Sequence, residues 1–198
     1  MIKFLAVFSL CCFATAGAAF DTSSGNARVD AIVDGLDQPW SFGFLPSGEM
    51  LITEREGALL LVNDYITKVE GLPEIADVGQ GGLLDLLIPR DFAQTREIFL
   101  SFAKPQGRGA GTALMRARLS EDGRRLTDVV TIFEMEIGTS GGKHFGSRIV
   151  EGRDGSLFLT IGDRGDRDTA QDLGIETGTV VRVNRDGSVP DDNPFVDR

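Results

Sequence analysis

One histidine stands among the 198 residues, and its neighbours are unusual. His144 lies in Gly141-Gly142-Lys143-His144-Phe145-Gly146-Ser147-Arg148, with glycines on both sides, a cation one residue before it and another four residues after. An imidazole can take a proton near neutral pH, which a lone Asp or Lys cannot do without a large shift. Two other loops combine small residues with a few polar groups: Gly79-Gln80-Gly81-Gly82, and Gly162-Asp163-Arg164-Gly165-Asp166-Arg167-Asp168. Glycine lets backbone approach a flat ligand and adopt positive φ. Gln80 offers both donor and acceptor, Asp163 can orient a hydroxyl or steady a charged imidazole, and Arg148 and Arg164 can pair with carboxylates. Each has a plainer reading. Gln80 and Arg148 also fit turn or surface positions, a lone histidine can be structural, and for Asp166 and Asp168 a solvated turn is the better account. Residue types alone leave these alternatives open.

Several other patterns fail on context. Gly138-Thr139-Ser140-Gly141-Gly142 spells G-x-S-x-G, but a nucleophile elbow needs a helix next, and glycine with β-branched sequence follows. Gly138 to Lys143 misses the phosphate-loop spacing by one residue and has His144 where Ser or Thr is required. Arg164-Gly165-Asp166 spells an adhesion tripeptide that recurs by chance. Asp163, Asp166 and Asp168 do not have the spacing of an EF-hand loop, and there is no His/Cys cluster for zinc.

The elements that must position these loops are short strands. Ser41 to Leu45, Glu49 to Glu54 and Ala58 to Val62 are separated by Pro46-Ser47-Gly48 and Arg55-Glu56-Gly57. The rhythm returns at Gly82 to Ile88, Glu97 to Phe102, Thr112 to Leu119 and Val129 to Phe133, with Gly107 to Gly111 read as a loop. A third pass takes in Ser147 to Val150, Ser156 to Ile161 and Gly178 to Asn184. Arg28 to Val33 alternates and reads as one more strand, after a flexible Asp21 to Asn26. No helical period lasts beyond a turn or two. Strand, Gly or Pro turn, strand, repeated at roughly 45 to 60 residues, predicts an all-β chain of propeller blades. About three blades are expected where closed propellers use roughly four to eight, so the reading is the N-terminal part of a longer chain. A small β-sandwich is the simpler alternative.

Lys3, the apolar run Phe4 to Phe13 and the small residues Ala14 to Ala19 predict a secretory signal peptide over 1–19, leaving 20–198 as the propeller portion. The run is too short for a permanent span. Both cysteines, Cys11 and Cys12, fall in that leader, so the exported chain would have no disulfide. A net charge of −10 with no basic stripe argues against nucleic acid and anionic membrane as partners. A periplasmic or secreted protein without membrane insertion is expected.

Longer stretches carry a family resemblance. Gln38-Pro39-Trp40-Ser41, Thr53-Glu54-Arg55, Gly79-Gln80-Gly81-Gly82-Leu83-Leu84-Asp85, His144-Phe145-Gly146-Ser147-Arg148, Gly162-Asp163-Arg164-Gly165, Ala170-Gln171-Asp172-Leu173 and Asp186-Gly187-Ser188-Val189-Pro190 resemble, in order and spacing, the soluble glucose/sorbosone dehydrogenase family and its aldose sugar dehydrogenases. The resemblance implies a six-bladed β-propeller that binds pyrroloquinoline quinone (PQQ) and calcium. It implies oxidation of an aldose at its anomeric carbon to the lactone, by hydride transfer to the quinone, with electrons passing on to an external acceptor. His144 would be the general base, Asp163 its catalytic partner near the sugar, and Gln80, His144 and Arg148 the cofactor-binding residues. No metal ligand is assigned within these 198 residues. The family's other cofactor and calcium ligands would lie beyond Arg198, so the chain alone is expected to bind PQQ weakly or not at all and to be inactive. A non-catalytic propeller that binds a glycan or protein, and a metal-dependent propeller lactonase, are the alternatives.

Overall fold

Short apolar runs between Gly and Pro turns form most of the strands, and two-sided burial decides how the sheets stack. The computed structural model describes residues 18–196. The predicted leader lies outside the described residues except for Ala18 and Ala19, which open β1.

The chain divides into two units, Met1–Leu36 and Asp37–Arg198. In the first, β1 (Ala18–Thr22) pairs antiparallel with β2 (Gly25–Val29). The Thr22 hydroxyl donates to Gly25 O at 2.6 Å and accepts from Ser24 N–H, and Gly25 takes φ +115°. This differs from the expected flexible lead and strand over Arg28 to Val33. The polar stretch Asp21 to Asn26 makes a hairpin turn, because Ser/Thr hydroxyls and glycine favour turns, and regular pairing ends at Val29.

The second unit holds three antiparallel sheets in chain order, the blades of a propeller. Sheet one runs β3 (Pro39–Phe44), β4 (Met50–Glu54), β5 (Ala58–Val62) and β6 (Ile66–Val69). Sheet two contains β7 (Leu83–Leu87), β8 (Glu97–Gln106), β9 (Gly109–Leu119) and β10 (Leu126–Glu134), with a one-turn helix, α1 (Phe92–Thr95), between β7 and β8. In sheet three, β12 (Leu157–Thr160) lies between β11 (Ile149–Glu151) and β13 (Val180–Val183), and a short 3-10 turn spans Arg167–Gln171.

Sheet two is covered on both faces, and β8 shows why its sequence is apolar almost throughout. Ile98, Leu100 and Phe102 pack with Leu51, Leu59 and Leu61 of sheet one. Phe99, between them in sequence, packs with Ile149, Leu157 and Leu159 of sheet three. Each fully buried side chain of this kind stabilises the fold by roughly 1.5–3 kcal/mol. Buried hydroxyls join the sheets at one end: Thr53 Oγ1 donates to Leu84 O at 2.6 Å, Ser101 Oγ to Ser147 O at 2.7 Å, and Thr112 Oγ1 to Phe145 O at 2.8 Å. At a separate contact, the Arg185 guanidinium makes two parallel bonds to Asp91, at 2.7 and 2.6 Å.

Candidate active site

The three loops singled out in the sequence meet. The first leads into β7 and is fixed from sheet one: Arg55 Nη1 donates to Gly81 O at 2.9 Å and to Gly79 O at 3.2 Å, and pairs with Asp77. Gly79 and Gly82 have φ of +60° and +147°. A Cβ on Gly82 would run into the Arg55 carbonyl oxygen, and one on Gly79 into that of Gly142, so only glycine lets the loop lie against both neighbours. Gln80 N–H donates to Gly142 O at 2.8 Å, stitching this loop to the next.

That next loop holds the histidine in an uncommon backbone conformation, with φ +49° at His144 and +83° at Ser147. A side chain in the left-handed region persists only where its surroundings fix it. Here the Gln80 side chain supplies the fixing contact: its Oε1 accepts the His144 main-chain N–H at 2.8 Å. Among the described residues the Gln80 amide nitrogen donates to no protein acceptor.

The third loop supplies the carboxylate. Asp163 Oδ1 stands 2.6 Å from His144 Nδ1 and also accepts Gly165 N–H at 2.9 Å. The imidazole beside it, and then the Gly165 amide, hold the Asp163 carboxyl below the usual carboxylate range. An ionised oxygen can only accept, so Nδ1 is the donor of the pair. The lone pair of a neutral His144 then resides on Nε2. The His144 side chain is 51% exposed, so this nitrogen belongs to a ring open to a ligand.

Arg148 is anchored differently. Its Nη1 donates to Asp85 Oδ1 at 2.8 Å, and its side chain is 65% exposed while that of Asp85 is 3% exposed. Asp85 also accepts from Ser41 Oγ at 2.7 Å and from Ile149 N–H at 2.7 Å. One carboxylate on sheet two therefore holds both neighbouring sheets. An open depression of about 340 Å³ lies here, lined by Pro39, Trp40, Asp85, Gly146, Ser147 and Arg148. Another, of about 300 Å³, runs along Leu45, Phe92, Arg96 and Glu121 and touches none of the three loops.

Of the residues singled out in the sequence, Gln80 and Asp163 thus each contact His144, with Arg148 beside it along the chain but bonded elsewhere; the sequence alone overlooked Asp85. A signal for Asp85 was present. Asp85 is the one charge inside the apolar run Leu83 to Ile88, and a carboxylate there requires partners. Nor does the sequence reveal Arg55, whose part depends on backbone carbonyls that no spacing announces.

The donor set suits an acceptor-rich planar anion. The Arg148 fork has donors beyond the one bonded to Asp85, the Gln80 amide nitrogen has no protein acceptor among the described residues, and both stand in glycine loops open to solvent. PQQ, with its carboxylates and quinone oxygens, is such a molecule. Calcium finds no comparable set: among the described residues no group of three or more His, Cys, Asp or Glu side chains could hold a metal ion. No described helix is long and apolar enough to cross a membrane.

Comparison with known proteins gives a consistent result. The family model described as Glucose / Sorbosone dehydrogenase matches residues 36–198. The chain is 42% identical over 174 residues to the aldose sugar dehydrogenase YliI of Escherichia coli (strain K12), covering 85% of this chain and 47% of that protein. A crystal structure of a glucose dehydrogenase superposes with a TM-score of 0.82 at 42% identity, over 85% of this chain and 51% of the other. The PQQ-bound aldose sugar dehydrogenase of Streptomyces coelicolor superposes with a TM-score of 0.75 at 27% identity, again over 85% and 51%. The chain spans about half the length of the curated relatives it matches.

Proposed function

Because the chain belongs to the glucose/sorbosone dehydrogenase family, we propose that the whole protein oxidises an aldose at its anomeric carbon to the lactone, with His144 as the general base. The observation that carries this reading is the 2.6 Å contact of His144 Nδ1 with Asp163, which leaves Nε2 to accept a proton. The chemistry supplied by bound PQQ is acceptance of a hydride from the sugar, with electrons then leaving to an external acceptor.

The residues of this chain act on the proton and on orientation. The anomeric O–H gives its proton to His144 Nε2 while C1 gives up its hydride, and the C1–O bond becomes the lactone carbonyl. Asp163 stabilises the imidazolium that forms and keeps the ring turned for the next cycle. Gln80 fixes the histidine backbone and offers its amide N–H groups to the cofactor. Arg148, steadied by Asp85, offers its remaining donors to a carboxylate or quinone oxygen. Family membership supports an aldose as substrate, and the leader-like 1–19 supports a periplasmic or secreted location. Calcium belongs to the proposal only through the family, and no step is drawn through it.

The test is sugar-dependent dye reduction by the whole protein supplied with PQQ and calcium. His144→Gln should abolish it, and full activity in that variant would remove the assigned base. A PQQ-independent lactonase activity lost on chelation would favour a metal hydrolase instead.

A further inference from the structure

Arg164 has no part in the chemistry just described, yet among the described residues it is the one buried cation. It is 5% exposed, and it has no carboxylate partner among the described residues. Its guanidinium lies over the Phe145 ring at 3.4 Å from the centroid. Nη1 donates to Lys143 O at 2.5 Å, Nη2 donates to Ala110 O at 3.1 Å, and Nε has no partner among the described residues. Burial lowers its pKa to about 10, which is still a cation at neutral pH. Burying a charge without a counter-ion is costly; Arg125 and Arg182, by contrast, pair with Glu70 and Asp154.

What the guanidinium holds is specific. Lys143 O is the carbonyl of the peptide leading into His144, and the Phe145 ring belongs to the residue after it. Ala110 O, the third contact, lies on β9 of sheet two, where it also receives Thr139 N–H. Arg164 itself follows Asp163 directly and takes φ +56°. A single tetrapeptide, Gly162 to Gly165, therefore grips His144 twice: by its ring, through Asp163, and by its flanking residues, through Arg164.

We propose that Arg164 is a positioning residue for the proposed base, clamping the segment 143–145 to sheet two so that His144 keeps its left-handed backbone and its Nδ1–H contact with Asp163. A lysine would carry the charge without the planar fork that stacks and donates in two directions. The functional meaning rests on reading His144 as the base, but the clamp is read out without turnover.

His144 is the only histidine in the sequence, so its ring proton and nitrogen signals are unambiguous by NMR. In the wild type a downfield Nδ1–H resonance and one dominant tautomer are expected. Arg164→Met and Arg164→Lys, checked for folding by circular dichroism, should both lose that resonance and show mixed tautomers. A folded variant that retains the wild-type signature would overturn the clamp. Should neither variant fold, the wild type decides: individually resolved, slowly exchanging Arg164 Nη protons support the clamp, and averaged, freely exchanging ones sink it. Failure of the base assignment looks different, since His144→Gln would then keep dye reduction while the Arg164 results stood.

Discussion

Gln80 reaches the backbone of His144, not its ring: Oε1 accepts the main-chain N–H at 2.8 Å across 64 positions of sequence. The acceptor and donor ends of this one amide can therefore be separated by mutation. Gln80→Glu keeps an acceptor for His144 N–H but loses the donors proposed for the cofactor, whereas Gln80→Ala loses both. Both variants should weaken PQQ binding in a titration followed by absorbance. Only Gln80→Ala should also disturb the amide resonances of residues 142–145, and equal disturbance by Gln80→Glu would contradict the division.

Asp163 sets an acid-sensitive step. Its carboxyl is held below the usual range first by the His144 side chain and then by Gly165 N–H. A depressed carboxyl contributes stability above its unfolded pKa, near 3.9, and loses it as pH falls through the lower folded value. Asp163→Asn lacks that contribution. Its stability deficit relative to wild type should be fully present near pH 6 and shrink as pH falls through about 4 toward 2. Urea unfolding across that range measures it, and a deficit independent of pH would refute the linkage.

Asp85 joins three sheets through Ser41, Arg148 and Ile149. Asp85→Ala leaves a buried N–H unpaired and should cost about 3 kcal/mol. Asp85→Asn keeps an acceptor and should cost roughly half as much. The urea midpoint should fall with the slope unchanged if the sheets continue to unfold together.

Two glycines with positive φ should respond unequally to alanine. Gly48, at φ +94°, has nothing within 4 Å of an added Cβ, so Gly48→Ala should cost only the backbone term of about 1–2 kcal/mol. Gly79→Ala adds a collision with the Gly142 carbonyl and should cost clearly more, while breaking the Gln80–Gly142 bond. Thermal melts of the two variants compare them directly.

Particular residues show where the sequence was legible. The sheets follow from short apolar runs punctuated by Gly and Pro, and β4, β5, β7 and β12 fall within a residue or two of expectation. Gly107 to Gly111 does not form a loop, however. The hairpin turns at Gly107 and Arg108, and β9 begins at Gly109. Gly109 and Gly111 serve close packing: a Cβ there would strike Thr139 O and Gln106 Oε1. Glycine composition cannot distinguish a bend from a close approach. β6 was missed because Ile66-Thr67-Lys68-Val69 is too short to stand out without the neighbour it pairs with. Within the site, residue types pointed to His144, Asp163 and Gln80, but the sequence could not tell that Gln80 binds a backbone, since that depends on the left-handed turn at His144.

The separations along the chain also predict an order in time for the assembly of the site. His144 and Asp163 are 19 residues apart and flank the same small sheet, so their loop closes early and at low entropic cost. Gln80 joins only when sheet two docks on sheet three. A refolding experiment that follows both the histidine ring and the His144 main-chain N–H should thus find the acid–base pair formed before the amide grip from Gln80, making the site a late-locking assembly of an early-formed pair.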